Sequence, residues 1–423
     1  MFRRELLRRA GLGGAGLLAA PALIGRAQAE VAANHRKFIF VVNYGGWDPT
    51  RVFADEFDNL NVDMERTAEP ATAGGLNFVD HPDRPSVRDF FTRYHSTTSI
   101  WKGILVPSVA HENCLRLMLT GSTRQDGADW PAIAGGVVGA TLALPHVVAA
   151  GPSFPGEFGA FVTRTGTSGQ LPALLDGTIL DWSDQPTAAP SRSASALVDS
   201  YAAGRARSFS AGARSTQERA LGESLVGALD RSNVLKELRD VVNWSAGSSF
   251  GEQLRFATDL LKLNVSRCVT VSFANYSWDT HIDNDLYQSY NFQALFTGLL
   301  DLFDQLRTLP GTAGGALIDE TVVVVLSEMG RTPQLNSGNG KDHWPYTSAM
   351  VVGPGLIGDR VYGGYDTLYY GRNVDPASGD VNDDGTSLSC DVFGSTLLRA
   401  AGVDSLDYLP GVAVVEGALS DGG

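Results

Sequence analysis

Five consecutive aliphatic residues, Val322 to Leu326, leave little room for any arrangement other than a strand covered on both faces. A strand with one wet face alternates apolar and polar residues, whereas "TVVVVL" does not alternate at all. The run stops at Glu328, and a Gly- and Asn-rich loop then brings Asp342, His343 and Trp344. Shorter apolar stretches of the same kind recur at "KFIFVV", "SIWKGILV", "ALPHVVAA" and "SRCVTVSF". Amphipathic helical patterns lie between several of them, as in "SFGEQLRFATDLLKL" and "YNFQALFTGLLDLFDQLRTL". Buried strands alternating with helices predict an α/β fold with a mostly parallel sheet sandwiched by helices.

The boundaries follow from composition. Residues 30–153 and 244–423 carry the strand and helix pattern and are expected to form the α/β core. Residues 154–243, rich in Ser, Ala and Arg, read as a helical insertion or cap. The first 29 residues combine a basic start, a short apolar stretch and Ala27-Gln28-Ala29, the layout of a cleavable export signal. Arg3-Arg4 suits the twin-arginine export machinery, so a periplasmic or secreted location is expected. No membrane span is expected in the mature chain.

The 423 residues carry 33 Lys and Arg against 47 Asp and Glu, a net charge of −14. Cleavage after Ala29 would remove five arginines and Glu5, a net +4, and leave −18. Such an acidic chain without a basic stripe is a poor nucleic-acid binder. Its three cysteines, Cys114, Cys268 and Cys390, are too few and too scattered for a disulfide framework or a zinc ribbon.

Polar residues concentrate where strands end, which is where open α/β sheets place their sites. "SWDTHIDN" sets Asp279 and His281 two apart, so on extended backbone both side chains face one side. Glu328 and His343 add ligands of the same chemical kind. A mixed carboxylate and imidazole set suits zinc or manganese better than an all-oxygen calcium site. Several clustered carboxylates without a cation would repel one another and take up protons. Asp48 follows the first strand in "NYGGWDPT", either as a further ligand or as a helix cap. Trp47, Trp278 and Trp344 each adjoin one of these residues, which suggests an aromatic-walled pocket and would also be met by core packing.

"SWDTHIDN", the long stretch from Glu328 to Gly363, "DVFGSTLLRAAGVD" and "GADWPAIAGGVVG" resemble the exported bacterial proteins of domain-of-unknown-function family 1501. That family is regarded as similar to the alkaline phosphatase and sulfatase superfamily. The resemblance implies divalent metal held by Asp48, Asp279, His281, Glu328 and His343, and a metal-dependent hydrolase of phosphate or sulfate esters. It sets His111 at the position of the nucleophile, as catalytic group or ligand, with Ser108 and Cys114 near it. Met329 stands where the superfamily has an imidazole ligand. Arg331, and after it Lys341, would receive the anionic group of a small ester. The alternative is a non-catalytic protein of the same fold that binds metal or a ligand such as an envelope polysaccharide. Separately, "DVNDDGTSLSCD" matches a calcium loop with Asp380, Asn382, Asp384 and Asp391 as ligands, while Asp391 also suits an N-terminal helix charge.

Overall fold

Runs of β-branched and aromatic residues form the centre of the fold, in a computed structural model that describes residues 31–138, 141–165, 175, 190–239, 241–273 and 277–420. The expected signal, 1–29, lies outside the described residues, as does part of the expected insertion. Eight strands make one sheet: β1 (Lys37–Asn43), β2 (Thr98–Leu105), β3 (His146–Val148), β4 (Val162–Arg164), β5 (Cys268–Ser272), β6 (Thr321–Ser327), β7 (Tyr346–Val352) and β8 (Arg360–Gly363). Their order is β8-β2-β7-β6-β1-β5-β3-β4. All neighbouring pairs are parallel except the two made by β7, which runs against both β2 and β6. The α/β reading with a mostly parallel, helix-flanked sheet therefore holds.

Alternate residues of the central strands serve opposite cores. Ile39, Val41, Val323 and Val325 face one side, where α1 (Pro85–Tyr94), α6 (Phe250–Lys262) and α7 (Asn284–Thr308) contribute Phe90, Leu254, Phe292, Phe296 and Phe303. Phe38, Phe40, Val322 and Val324 face the other, against α2 (His111–Thr120), α3 (Trp130–Val137) and α8 (Cys390–Ala400) with Leu117, Ile133 and Phe393. Both faces are dry, which is why β6 shows no alternation in sequence. Two further helices, α4 (Arg192–Ala211) and α5 (Thr216–Leu238), lie in the segment expected as an insertion. That segment also supplies β4, which lengthens the core sheet by pairing with β3.

Beneath the edge where β1 and β6 end, a buried ion network ties distant loops together. Asp48 accepts hydrogen bonds from the backbone N–H and hydroxyl of Thr50 and from Asn284 Nδ2. Its Oδ2 lies 3.0 Å from Lys341 Nζ and 3.6 Å from Arg51 Nε. Burial alone would push the Asp48 carboxyl up, but Lys341 and Arg51 hold it well below the usual carboxylate range. Burial likewise pulls Lys341 down, to about 8, against the opposing pull of Asp48.

Two outcomes follow for stability. Lys341→Met leaves a buried carboxylate short of a partner and should cost roughly 3 kcal/mol in denaturant unfolding, whereas Lys341→Met combined with Asp48→Asn should recover part of that loss. His146 is fully buried on β3 beside Thr270 Oγ1, and burial pushes its imidazole down to about 3. The unfolded chain takes up that proton near pH 6.5 and the native state does not, so stability falls as pH drops below about 6.5, by up to about 1.4 kcal/mol per unit. Unfolding midpoints for His146→Gln should show a shallower decline between about pH 6.5 and 5 than those of the parent; parallel declines would refute the assignment.

Candidate metal centre

The site starts from two strands that end side by side, since Asn43 of β1 is in register with Ser327 of β6. The chain after β1 turns through Gly45 and Gly46, both with positive φ, and a Cβ on Gly46 would lie 2.8 Å from Met329 Cγ. This tight turn aims two backbone N–H groups at Glu328. Glu328 Oε1 accepts from Gly45 N at 2.9 Å, and Oε2 lies 3.3 Å from Gly46 N and 3.0 Å from Ser327 Oγ. Oε1 also meets Nδ1 of His111, the first residue of α2, at 2.7 Å. That hydrogen bond to Glu328 raises the His111 pKa against the opposing effect of burial.

His111 is one of three imidazoles around Asp279. Asp279 Oδ1 lies 3.1 Å from His281 Nε2 and 3.2 Å from His343 Nε2, and Oδ2 lies 3.5 Å from His111 Nε2. The Nε2 atoms of His281 and His343 are 3.1 Å apart. Each ring is fixed from behind through Nδ1: His111 by Glu328, His281 by Asp342 at 2.9 Å, and His343 by the Val109 carbonyl at 2.8 Å. A carbonyl only accepts, so His343 Nδ1 carries a hydrogen and donates it to Val109.

The hairpin that carries His343 is held by its own pairing. His343 sits opposite Arg331 in a short antiparallel bridge. Asn336 Nδ2 donates to the His281 carbonyl at 3.0 Å, and Lys341 N donates to the Thr280 carbonyl at 3.0 Å. These bonds bring the segments 279–281 and 341–343 to one point. Burial raises the Asp279 carboxyl, but Arg331, with His343 and His111, holds it down at about 2.

The structure brings together Asp279, His281, His343 and His111 from the expected set, and places the other residues in different roles. Asp48 sits in the buried network with Lys341 and Arg51 and caps the turn at Thr50, so the capping alternative describes it. Glu328 has both oxygens engaged by N–H and hydroxyl donors and acts behind His111. Arg331 is buried, and its guanidinium donates to the carbonyls of Gly45, Gly46 and Lys341 and to Asp279 at 2.6 Å, so it is not turned out to meet an anion. Lys341 is held by Asp48 and Thr50. Met329 packs in the core. The calcium pattern dissolves into separate contacts: Asp380 pairs with Arg360 at 2.8 Å, Asn382 accepts from Asp384 N, and Asp391 accepts from Ser389 Oγ and Val392 N at the start of α8. Asp342 and the Val109 carbonyl were not anticipated as ring-orienting groups. Only the position of Asp342 beside His343 could have signalled the first, and nothing local signals the second.

His111, Asp279 and His343 each offer a ligand atom within 4.8 Å of the others, and they are the one such group of acidic or imidazole side chains found among the described residues. Two ligands on a zinc ion at about 2.0–2.1 Å sit roughly 3.3 Å apart at tetrahedral angles. The spacings between Asp279, His281 and His343 match that edge length. His111 Nε2 is buried and has no hydrogen-bond partner, as a nitrogen reserved for a cation would be.

No curated protein matches the chain. The family model described as "Protein of unknown function (DUF1501)" matches residues 93–383, well over half of the chain and including His111, Asp279, His281, Glu328 and His343. The chain belongs to that family.

Proposed function

We propose that His111, Asp279 and His343, with His281 beside them, hold one divalent metal ion, zinc or manganese, in a hydrolase of phosphate or sulfate esters in the cell envelope. The observation that carries this reading is the convergence of three Nε2 atoms on one carboxylate while every Nδ1 is pinned from behind. Metal-binding histidines are oriented in this way by carboxylates and carbonyls. When bound, the ion supplies Lewis acidity to an ester oxygen and makes water acidic enough to attack at neutral pH.

The side chains have separable tasks. Asp279 brings a negative charge that Arg331 keeps ionised and oriented. Glu328 and Asp342 fix the tautomers of His111 and His281. Burial raises the Cys114 thiol to about 11, so it stays protonated, and the Ser108 hydroxyl accepts from Ala110 N with no base shown against it. Water is therefore the nucleophile in this reading. A mostly parallel sheet whose strand ends carry the site supports an alkaline phosphatase/sulfatase-like fold, with buried Met329 in place of an imidazole. The internal engagement of Arg331 and Lys341 favours the second reading, a non-catalytic metal-binding protein on the same scaffold, because neither cation is free to clamp an anion.

Metal analysis of the purified protein should find about one zinc or manganese per chain, removable by chelation with a fall in melting temperature. His111→Ala and His281→Ala should lose the ion, while Glu328→Gln should stay folded and bind it about 10–100-fold more weakly. A chain that takes up no metal rules out both readings. Assays on aryl phosphates and aryl sulfates should give turnover that disappears on chelation and returns with metal. Stoichiometric metal without turnover on either ester would leave the non-catalytic reading standing and remove the hydrolase.

A further inference from the structure

Away from the metal centre, the hairpin of α4 and α5 exposes several large apolar side chains. Leu197 and Tyr201 on α4 are 72% and 70% exposed, and Phe209, Leu221 and Leu225 are each more than half exposed. Leu197, Val198, Tyr201 and Phe209 fall within an arc of about 120° on α4, at 100° per residue. Arg205 falls within the same arc between Tyr201 and Phe209, so exposed apolar side chains and a cation share one face of α4 toward the turn between the helices.

The turn is also basic. Residues 205–221 contain Arg205, Arg207, Arg214 and Arg219 against Glu218, a net +3, while the whole chain carries −14. All four arginines are exposed. Arg207 and Arg219 line one cleft with Ser210 and Glu223. Arg207 also reaches Asp230 at 4.0 Å, a distance that leaves its guanidinium weakly held. Cationic groups beside exposed Phe and Leu form the pattern of a surface that lies on anionic lipid, with headgroup phosphates at the arginines and the apolar residues in the interface. Among the described residues no helix is long and apolar enough to cross a membrane, which fits docking rather than spanning.

We infer that the tip of the α4–α5 hairpin docks the protein on an anionic lipid surface. The charge distribution selects this occupant over a second copy. Two hairpins packed tip to tip would set eight arginines against Glu218 and Glu223 from each chain, whereas an anionic bilayer attracts the basic tip and repels the acidic remainder, so it orients the molecule.

Co-sedimentation of the purified protein with vesicles of phosphatidylglycerol and phosphatidylcholine in equal parts tests this, with pure phosphatidylcholine vesicles alongside. Binding should require phosphatidylglycerol and weaken as ionic strength rises from about 0.01 M to about 0.15 M. Arg207→Gln with Arg219→Gln should weaken it about 25-fold, at about fivefold per basic residue. Phe209→Ser with Leu221→Ser should also release the protein from vesicles. Both pairs change exposed residues, and unaltered far-UV melting would show that the fold persists. Equal binding to both vesicle types, no binding at all, or a charge variant that binds like the parent overturns the proposal. A concentration-dependent dimer that is lost in Phe209→Ser/Leu221→Ser, with no vesicle binding, reassigns the surface to a second copy.

Discussion

The hydrogen bond between Glu328 and His111 joins the two halves of the site, because it links the end of the central strand to the start of a helix on one face of the sheet. β1 and β6 are parallel and in register, so their ends deliver the Gly45-Gly46 turn and Glu328 to the same place. The turn's N–H groups need an acceptor in a dry environment, and Glu328 supplies it. A buried carboxylate with that many donors is itself stabilised, and it presents one oxygen with fixed direction to His111 Nδ1. Without this coupling, the imidazole at the head of α2 would be free to rotate away from Asp279.

The same logic explains why so many charges tolerate burial around the site. Asp48, Arg51 and Lys341 are buried as a network, and Arg331 is buried against three carbonyls and Asp279. Each charge is partnered, which offsets the desolvation that would otherwise make it costly. The network holds Lys341, one residue before Asp342 and two before His343. Rigidity of that loop is thus derived from ion pairs beneath it rather than from regular structure, which the bridge from Gly330–Arg331 to His343–Trp344 supplies over only two residues.

Much of the sheet was legible because an unbroken apolar run has few physical alternatives. β1, β2, β3, β5 and β6 all fall in stretches where burial on both faces dictates composition. β7 was less legible: Tyr346–Val352 mixes Tyr, Thr and Ser with aliphatics, and its antiparallel direction follows from a connection between Ser327 and Tyr346 that contains no crossover helix rather than from any pattern. β4 has three residues in a segment dominated by helix-forming composition. For the site, sequence identified chemical types at strand ends and could not rank their roles. A carboxylate aimed at a cation and one aimed at backbone N–H groups look the same in sequence, so Glu328 and Asp48 were grouped with Asp279. Arg331 was read as an anion receptor because nothing in its neighbours revealed that the carbonyls of Gly45 and Gly46, nearly three hundred positions earlier, would occupy its fork.

The rearranged roles change what the hydrolase reading asks of the site. If Arg331 and Lys341 neutralise the interior, an anionic ester is left to interact with the bound ion and with the three rings, and the exposed carboxylate beside them, Asp342, repels it. Selectivity would then favour esters whose charge is small or directed wholly at the ion, since every further negative group meets an acidic surface without a compensating guanidinium. This constraint separates the site from one built to clamp free phosphate. It gives the acidic character of the chain a physical consequence at the point where chemistry is proposed.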